Sequence, residues 1–215
     1  MKHLKSMIAA VMLSSCFSVA AAPIVLDFEG AGNSANVLNF YNGGTDSQGN
    51  SGANLGINFA SNALSLIQTA QGGSGNFTNN PSGKTIMFFL SGSAILNYNA
   101  GFTSGFSFFY SSSTAAVIRV WDSINASGNL LGSIDLTAQF NQNGCNSGYC
   151  NWTAVGVNFL GTARSIDFGG GVNAIGYDDI TLGSSTPGNK VPVPATLGLF
   201  GLALAGLVLR RKSSK

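Results

Sequence analysis

Short apolar runs separated by glycine, asparagine and serine fill the middle of this 215-residue chain, and they restrict its fold more than any other feature. The runs are rich in β-branched and aromatic residues, and none shows a helical period over a useful length. They lie at residues 24–28, 55–59, 63–68, 85–90, 94–98, 106–110, 116–122, 130–136, 152–159, 165–168 and 175–182. Roughly ten short strands separated by turns predict an all-β protein with a single β-sandwich domain of the jelly-roll type.

The first 21 residues have the layout of a secretory signal peptide. Lys2 and Lys5 precede a mostly apolar stretch at residues 7–19, and small residues follow, so we expect cleavage after Ala21. An alternative is the lipobox pattern LSSC, which would make Cys16 the lipidated first residue of the mature protein. Both interpretations predict export.

The C-terminal end combines a proline-containing motif, an apolar run and a basic cluster, in that order. The motif comprises Val191, Pro192, Val193, Pro194, Ala195 and Thr196. A transmembrane helix is predicted at residues 195–209, and Arg210, Arg211 and Lys212 follow it as a basic stop on the cytoplasmic side. The uncharged run at residues 197–209 spans about 20 Å, less than the ~30 Å hydrocarbon core of a bilayer, which suits a temporary stop.

The two ends leave a predicted domain at residues 22–183 and a polar linker at residues 184–190, before the C-terminal signal at residues 191–215. The whole chain has a net charge of +2, but the part between the ends holds four basic and eight acidic residues. No cluster of Lys and Arg there could neutralise phosphates, so the sequence argues against a nucleic-acid partner.

Cys145 and Cys150 are the only cysteines of the predicted domain, and they flank a turn-rich tetrapeptide. Two thiols this close together in an oxidising compartment are expected to form a disulfide bond. So small a ring contributes only about 2 kcal/mol on chain-entropy grounds, and its expected role is therefore to fix the loop.

The residue types needed for common hydrolytic mechanisms are missing from the predicted domain. Its single glutamate is Glu29, and the only histidine of the chain is His3, within the signal peptide. A Ser-His-Asp or Cys-His system therefore cannot be assembled, and no spacing marks a pair of glycosidase carboxylates. The sequence predicts a protein that is not an enzyme.

Acidic residues stand in the first and last predicted strands. Asp27 and Glu29 lie at the end of the first run, and Asp178 and Asp179 lie within the last. Both faces of the last strand carry apolar residues, so at least one aspartate is expected to point inward, where a lone charge is costly. A structural Ca²⁺ ion, which takes about 6–8 oxygen ligands, would supply a partner. The alternative is that these carboxylates are solvated strand ends.

This pattern resembles the Ca²⁺-stabilised jelly rolls of carbohydrate-binding modules. In those modules an acidic residue of the first strand and an aspartate of a closing Asp-Asp-(Ile/Val) strand share the ion. The resemblance implies Glu29 and Asp178 as the first candidate ligands, with Asp27 and Asp179 next.

Aromatic side chains are the other candidate ligand-binding feature, because a flat apolar ring with a polar tip can stack on a sugar. Tyr41 and Tyr149 lie in Gly- and Asn-rich loops and are predicted as possible glycan contacts, whereas Trp121 and Trp152 are expected in the core. Two long connections, at residues 30–54 and 71–83, are where a ligand site is expected.

The C-terminal end resembles the PEP-CTERM sorting signal, whose motif normally reads Val-Pro-Glu-Pro; Val193 replaces the glutamate here. The body is similar to exported domains of PEP-CTERM proteins, which share its motifs DFE, YNGG, GFSFFY, NWT and DDIT. The resemblance implies export through the inner membrane of a Gram-negative bacterium that makes extracellular polymer. It also implies exosortase, a membrane transpeptidase, as the sorting partner.

The sequence therefore predicts a non-enzymatic, exported cell-surface or extracellular-matrix protein. Its expected location is the membrane, at least transiently, and then the cell envelope or the exterior. A carbohydrate-binding module for extracellular polysaccharide is one alternative, and a simple C-terminally anchored envelope protein is another.

Overall fold

The computed structural model describes residues 22–146 and 148–188, and it contains eleven β-strands. They are β1 (Ile24–Leu26), β2 (Ile57–Phe59), β3 (Leu64–Ile67), β4 (Thr85–Phe88), β5 (Ile95–Phe102), β6 (Gly105–Ser112), β7 (Ala116–Ser123), β8 (Ser127–Leu136), β9 (Thr153–Asn158), β10 (Ala163–Asp167) and β11 (Ile175–Leu182). Each apolar run of the sequence overlaps one strand. The only helix in the described part is a single 3₁₀ turn at Thr69–Gln71.

The strands form two antiparallel sheets. Sheet A has the order β3-β4-β11-β6-β9, and β1 also pairs with β11. Sheet B has the order β2-β5-β10-β7-β8. Within the described residues, every ladder between neighbouring strands is antiparallel, and many neighbours are distant in the chain, as β4 and β11 are. The predicted all-β, sandwich-like architecture is confirmed.

Aromatic side chains from both sheets fill the core between them. Phe106 and Phe108 of β6 and Tyr177 of β11 meet Phe168, which follows β10, and all four are fully or almost fully buried. The rings of Phe108, Phe168 and Tyr177 pack edge to face with centroids 5.0–6.1 Å apart. Because side chains alternate along a strand, Gly105 and Ser107 fall on the outer face of sheet A.

The predicted disulfide bond is confirmed: Cys145 and Cys150 are joined, with their Cα atoms 5.4 Å apart. Several other predictions fall on residues outside the described part of the chain. These are the signal peptide, lipidation at Cys16, the VPVPAT motif, the transmembrane helix and the basic stop. Within the described residues, no helix is long and apolar enough to cross a membrane.

Candidate functional site

Asp178 is the most deeply buried acidic side chain of the predicted calcium cluster, with no exposed surface. It lies on the outer face of sheet A, beneath the connection that precedes β4. Its Oδ2 accepts hydrogen bonds from the Ser82 amide (2.9 Å) and from Asn80 Nδ2 (3.2 Å). Its Oδ1 accepts from Ser82 Oγ (2.6 Å) and from the Asp179 amide (2.8 Å). Both carboxylate oxygens therefore hold protein donors in place.

Glu29 binds the same connection a few residues further on. Its Oε1 accepts hydrogen bonds from the amides of Lys84 (2.8 Å) and Thr85 (2.7 Å). Gly83, with φ +46°, permits this approach, because a Cβ there would lie 2.2 Å from the carboxyl carbon of Glu29. Together, Glu29 and Asp178 fix residues 80–85 against β1 and β11.

Asp27 and Asp179 flank this arrangement. Asp27 Oδ1 accepts a hydrogen bond from the Glu29 amide (3.2 Å), and Asp179 has φ +47° at the irregularity where β11 changes register against β6. Among the described residues, no three His, Cys, Asp or Glu side chains converge in a group that could hold a metal ion. Both oxygens of Asp178 accept hydrogen bonds from N–H and O–H groups, which suit a carboxylate better than a cation. The calcium site stays a prediction.

Burial raises the pKa of the Asp178 carboxyl to about 7, although the hydrogen bonds from Ser82 and Asn80 oppose the shift. The negative charge of nearby Asp179 adds to the rise. This group therefore changes its charge near neutral pH, whereas an ordinary aspartate does so near pH 4.

Tyr41 does not lie at the surface as the sequence predicted. Its ring is only 4% exposed and packs edge to face on Phe28 and Phe40. The Tyr41 hydroxyl accepts a hydrogen bond from the Phe28 amide (2.7 Å). Burial and the charge of Asp27 raise the pKa of this hydroxyl, so it stays protonated. The prediction of Tyr41 as a glycan contact is wrong because the loop folds inward over β1.

An aromatic groove covers the other half of the outer face of sheet A. The connection at residues 71–83 and the disulfide loop at residues 145–150 lie side by side here. The Tyr149 amide donates to the Asn76 carbonyl, and the Thr78 amide donates to the Tyr149 carbonyl, each at 3.0 Å. Gly148, with φ +60°, is required at this junction, because a Cβ would lie 2.2 Å from the Asn76 carbonyl oxygen.

Phe77 anchors the connection to the sheet. Its ring is 2% exposed and contacts Trp152 edge to face, with centroids 6.2 Å apart. The indole Nε1 of Trp152 donates to the Thr78 carbonyl (2.9 Å). Ile86 and Phe88 form part of the floor, on the face of β4 opposite to the core residue Met87. Phe77 and Trp152 therefore form a small second hydrophobic cluster outside the main core.

Tyr149 is half-buried and forms one wall of this groove, as the sequence placed it in a surface loop. Its ring packs on Phe140 at 5.1 Å between centroids, and its hydroxyl lies 2.9 Å from Ser113 Oγ. Tyr149 lines a pocket of about 50 Å³ that reaches Asn173. An open depression of about 440 Å³, lined by Gln68, Thr69 and Gly148, shares Asn76 and Phe77 with this pocket. Rings next to amide and hydroxyl groups suit a polar ligand with flat apolar faces.

The sequence predicted the long connection at residues 71–83 as a place for a ligand site, but it did not reveal which of its residues anchor it to the sheet or bind Asp178. Phe77 is a single aromatic residue within a Gly- and Asn-rich stretch, and that isolation is the only local signal of its role. Asn80 and Ser82 gave no signal, because their partner Asp178 lies almost a hundred residues away in the chain.

Comparison with known families identifies the C-terminal end. The model of the PEP-CTERM protein-sorting motif matches residues 190–212. The chain therefore carries a PEP-CTERM sorting motif, as its VPVPAT sequence, apolar run and basic stop predicted. None of the curated proteins matches the chain significantly.

The solved structures that are similar to part of the chain include three carbohydrate-binding modules. A family 6 carbohydrate-binding module is 16% identical, with a TM-score of 0.37, over 60% of this chain and 86% of its own. The module CsCBM6-3 of Clostridium stercorarium, solved with cellobiose, is 16% identical, with a TM-score of 0.36, over 50% of this chain and 80% of the module. The module TmCBM61, solved with β-1,4-galactotriose, is 10% identical, with a TM-score of 0.34, over 59% of this chain and 86% of the module.

Proposed function

We propose that this chain is a non-enzymatic, exported protein of the cell surface or extracellular matrix that exosortase sorts. The PEP-CTERM motif at residues 190–212 carries the proposal. The predicted signal peptide at the other end agrees with it, because such a leader directs a chain to export. In this proposal the inner membrane holds the tail during sorting, and the sandwich domain is the part delivered to the envelope or the exterior.

The motif itself tests this proposal in cells that make the cognate exosortase. We expect the mature protein to lose its tail, and we expect Pro194→Ala to leave the tail in place. Val193→Glu restores the usual Val-Pro-Glu-Pro sequence and is expected to keep or increase processing. Equal tail retention in all three proteins would support the alternative of a simple C-terminal anchor.

Binding of extracellular polysaccharide is the second candidate function, and the aromatic groove favours it. Tyr149 and Asn76 line a pocket of about 50 Å³. Asn76 also borders an open depression of about 440 Å³, which Gln68 and Thr69 line as well. Ligand sites of this size combine apolar rings with a few polar groups. The disulfide bond between Cys145 and Cys150, which are five residues apart in sequence, fixes the loop that presents the ring of Tyr149.

Affinity electrophoresis of the exported protein against a panel of polysaccharides tests the groove. We expect saturable retardation that falls about tenfold in Tyr149→Leu, because the stacking surface is lost. Tyr149→Phe keeps the ring and should retain binding, and the buried Tyr41→Phe serves as a control outside the groove. Absence of retardation by every polysaccharide would favour the purely structural role.

A further inference from the structure

The residues that follow β11 do not leave the domain directly. The chain turns at Gly183, which has φ +91°, and residues 184–188, here called the strap, lie back on the outer face of sheet A. The Gly183 amide donates to the Gly105 carbonyl (2.9 Å), and Ser107 Oγ donates to the Ser184 carbonyl (2.9 Å). At the far end, the Gly188 amide donates to Thr181 Oγ1 (3.0 Å).

The strap occupies a channel made by small residues of two neighbouring strands. A Cβ on Gly105 would lie 2.6 Å from the Ser185 nitrogen, and a Cβ on Gly156 would lie 2.1 Å from the Ser185 carbonyl oxygen. Ser107, between them, is fully buried, and Pro187 of the strap is buried as well. The strap is therefore a packed part of the domain, and the predicted linker at residues 184–190 has only two residues beyond it.

This packing controls how far the sorting motif can reach from the domain. Val191 follows Gly188 by three residues, which span at most about 11 Å when fully extended. Release of the strap moves the last fixed residue back to Gly183, and the eight residues from there to Val191 span at most about 29 Å. Docking of the strap thus removes about 18 Å of tether.

We propose that the strap controls access to the sorting motif, and that exosortase acts on the form in which the strap has undocked. This inference rests on the proposed sorting by exosortase. A peptidase binds an extended segment on both sides of the bond it cleaves. With the strap docked, the folded domain lies too close to the motif for a membrane-embedded active site to enclose that segment.

Removal of one strap contact should accelerate processing. Ser107→Ala deletes the hydrogen bond to the Ser184 carbonyl, and we expect tail removal in pulse-chase experiments to become about fivefold faster, as loss of about 1 kcal/mol predicts. Ser111→Ala is the matched control. Ser111 is a buried serine on the same strand and face, and among the described residues its Oγ has no hydrogen-bond partner. Equal rates for wild type, Ser107→Ala and Ser111→Ala would overturn the proposal.

A steric change and a longer tether provide independent checks. Gly156→Ala should displace the strap and accelerate tail removal, whereas Gly169→Ala, whose Cβ meets nothing closer than 3.4 Å, should not. An eight-residue Gly/Ser insertion after Gly188 supplies reach without undocking. In that background Ser107→Ala should add no further acceleration, and a full additional effect would contradict control by tether length.

Trypsin separates this inference from the proposed function, because Lys190 lies between the strap and the motif. In the detergent-solubilised full chain, cleavage after Lys190 should be about fivefold faster in Ser107→Ala than in wild type or Ser111→Ala. If cells with and without exosortase retain the tail equally, the proposed sorting function is contradicted. The trypsin result still decides the role of the strap. Equal trypsin rates in all three proteins would overturn the strap alone.

Discussion

At the scale of single residues, Asp178 shows how this fold treats a buried charge. The sequence predicted that at least one of Asp178 and Asp179 would need a partner, and the structure gives Asp178 three: Ser82, Asn80 and the Asp179 amide. The partners lie in a connection far away in the chain, so the sequence could indicate the need for a partner but not its identity. Tyr41 was misplaced for the same reason: its Gly- and Asn-rich neighbours suggested exposure, whereas its contact with Phe28 buries it.

The buried carboxyl of Asp178 should make the free energy of unfolding depend on pH. The folded-state pKa of about 7 lies above the ordinary value of 3.8, so between these pH values the folded state binds a proton that the unfolded state does not. The free energy of unfolding therefore falls as pH rises through this window, by at most about 4 kcal/mol. Urea unfolding at pH 5 and pH 8 should show the part of this decrease that falls above pH 5, about 3 kcal/mol, in the wild type and a much smaller one in Asp178→Asn. Equal stability of the wild type at both pH values would contradict the assignment.

The predicted calcium site has a direct thermal test. An ion held by Glu29 and Asp178 in the folded state alone must raise the melting temperature in millimolar Ca²⁺ relative to EDTA. We expect that rise to disappear in Glu29→Gln, and Asp135→Asn, on the distant strand β8, serves as the control. Identical melting temperatures of the wild type in Ca²⁺ and EDTA would mean that the hydrogen bonds to residues 80–85 suffice.

At the scale of elements, the strands were predictable and their connections were not. Each strand is coded by a local apolar run such as residues 175–182, and its existence needs no knowledge of its neighbours. The aromatic groove instead depends on two connections that meet only in the folded protein, at the contacts between Tyr149 and residues 76–78. The strap depends likewise on small residues in β6 and β9, which no local pattern marks.

Loss of the disulfide bond should affect the groove more than the sandwich. In Cys145→Ser/Cys150→Ser the free energy of unfolding should fall by about 2 kcal/mol, because a ring this small restricts the unfolded chain only modestly. The loop would also lose its fixed geometry beside Phe77, so polysaccharide binding should weaken while the far-ultraviolet circular dichroism spectrum stays unchanged. A double variant that binds as tightly as the wild type would exclude this loop from the binding site.

At the scale of the whole molecule, a folded sandwich domain and a sorting signal are separated by only a few residues of sequence. The domain supplies a stable body with a groove on its outer face, and the PEP-CTERM motif at residues 190–212 supplies the destination. The strap connects the two, because it sets how close the motif stays to the domain.

The intact mass of the mature protein, measured from cells with and without the cognate exosortase, tests the central claim most directly. When exosortase is present, we expect a protein that has lost its basic C-terminal tail and lies in the envelope or the medium. When exosortase is absent, we expect a full-length C-terminus in the membrane fraction. An intact C-terminus in both cells would contradict sorting and leave a simple membrane anchor.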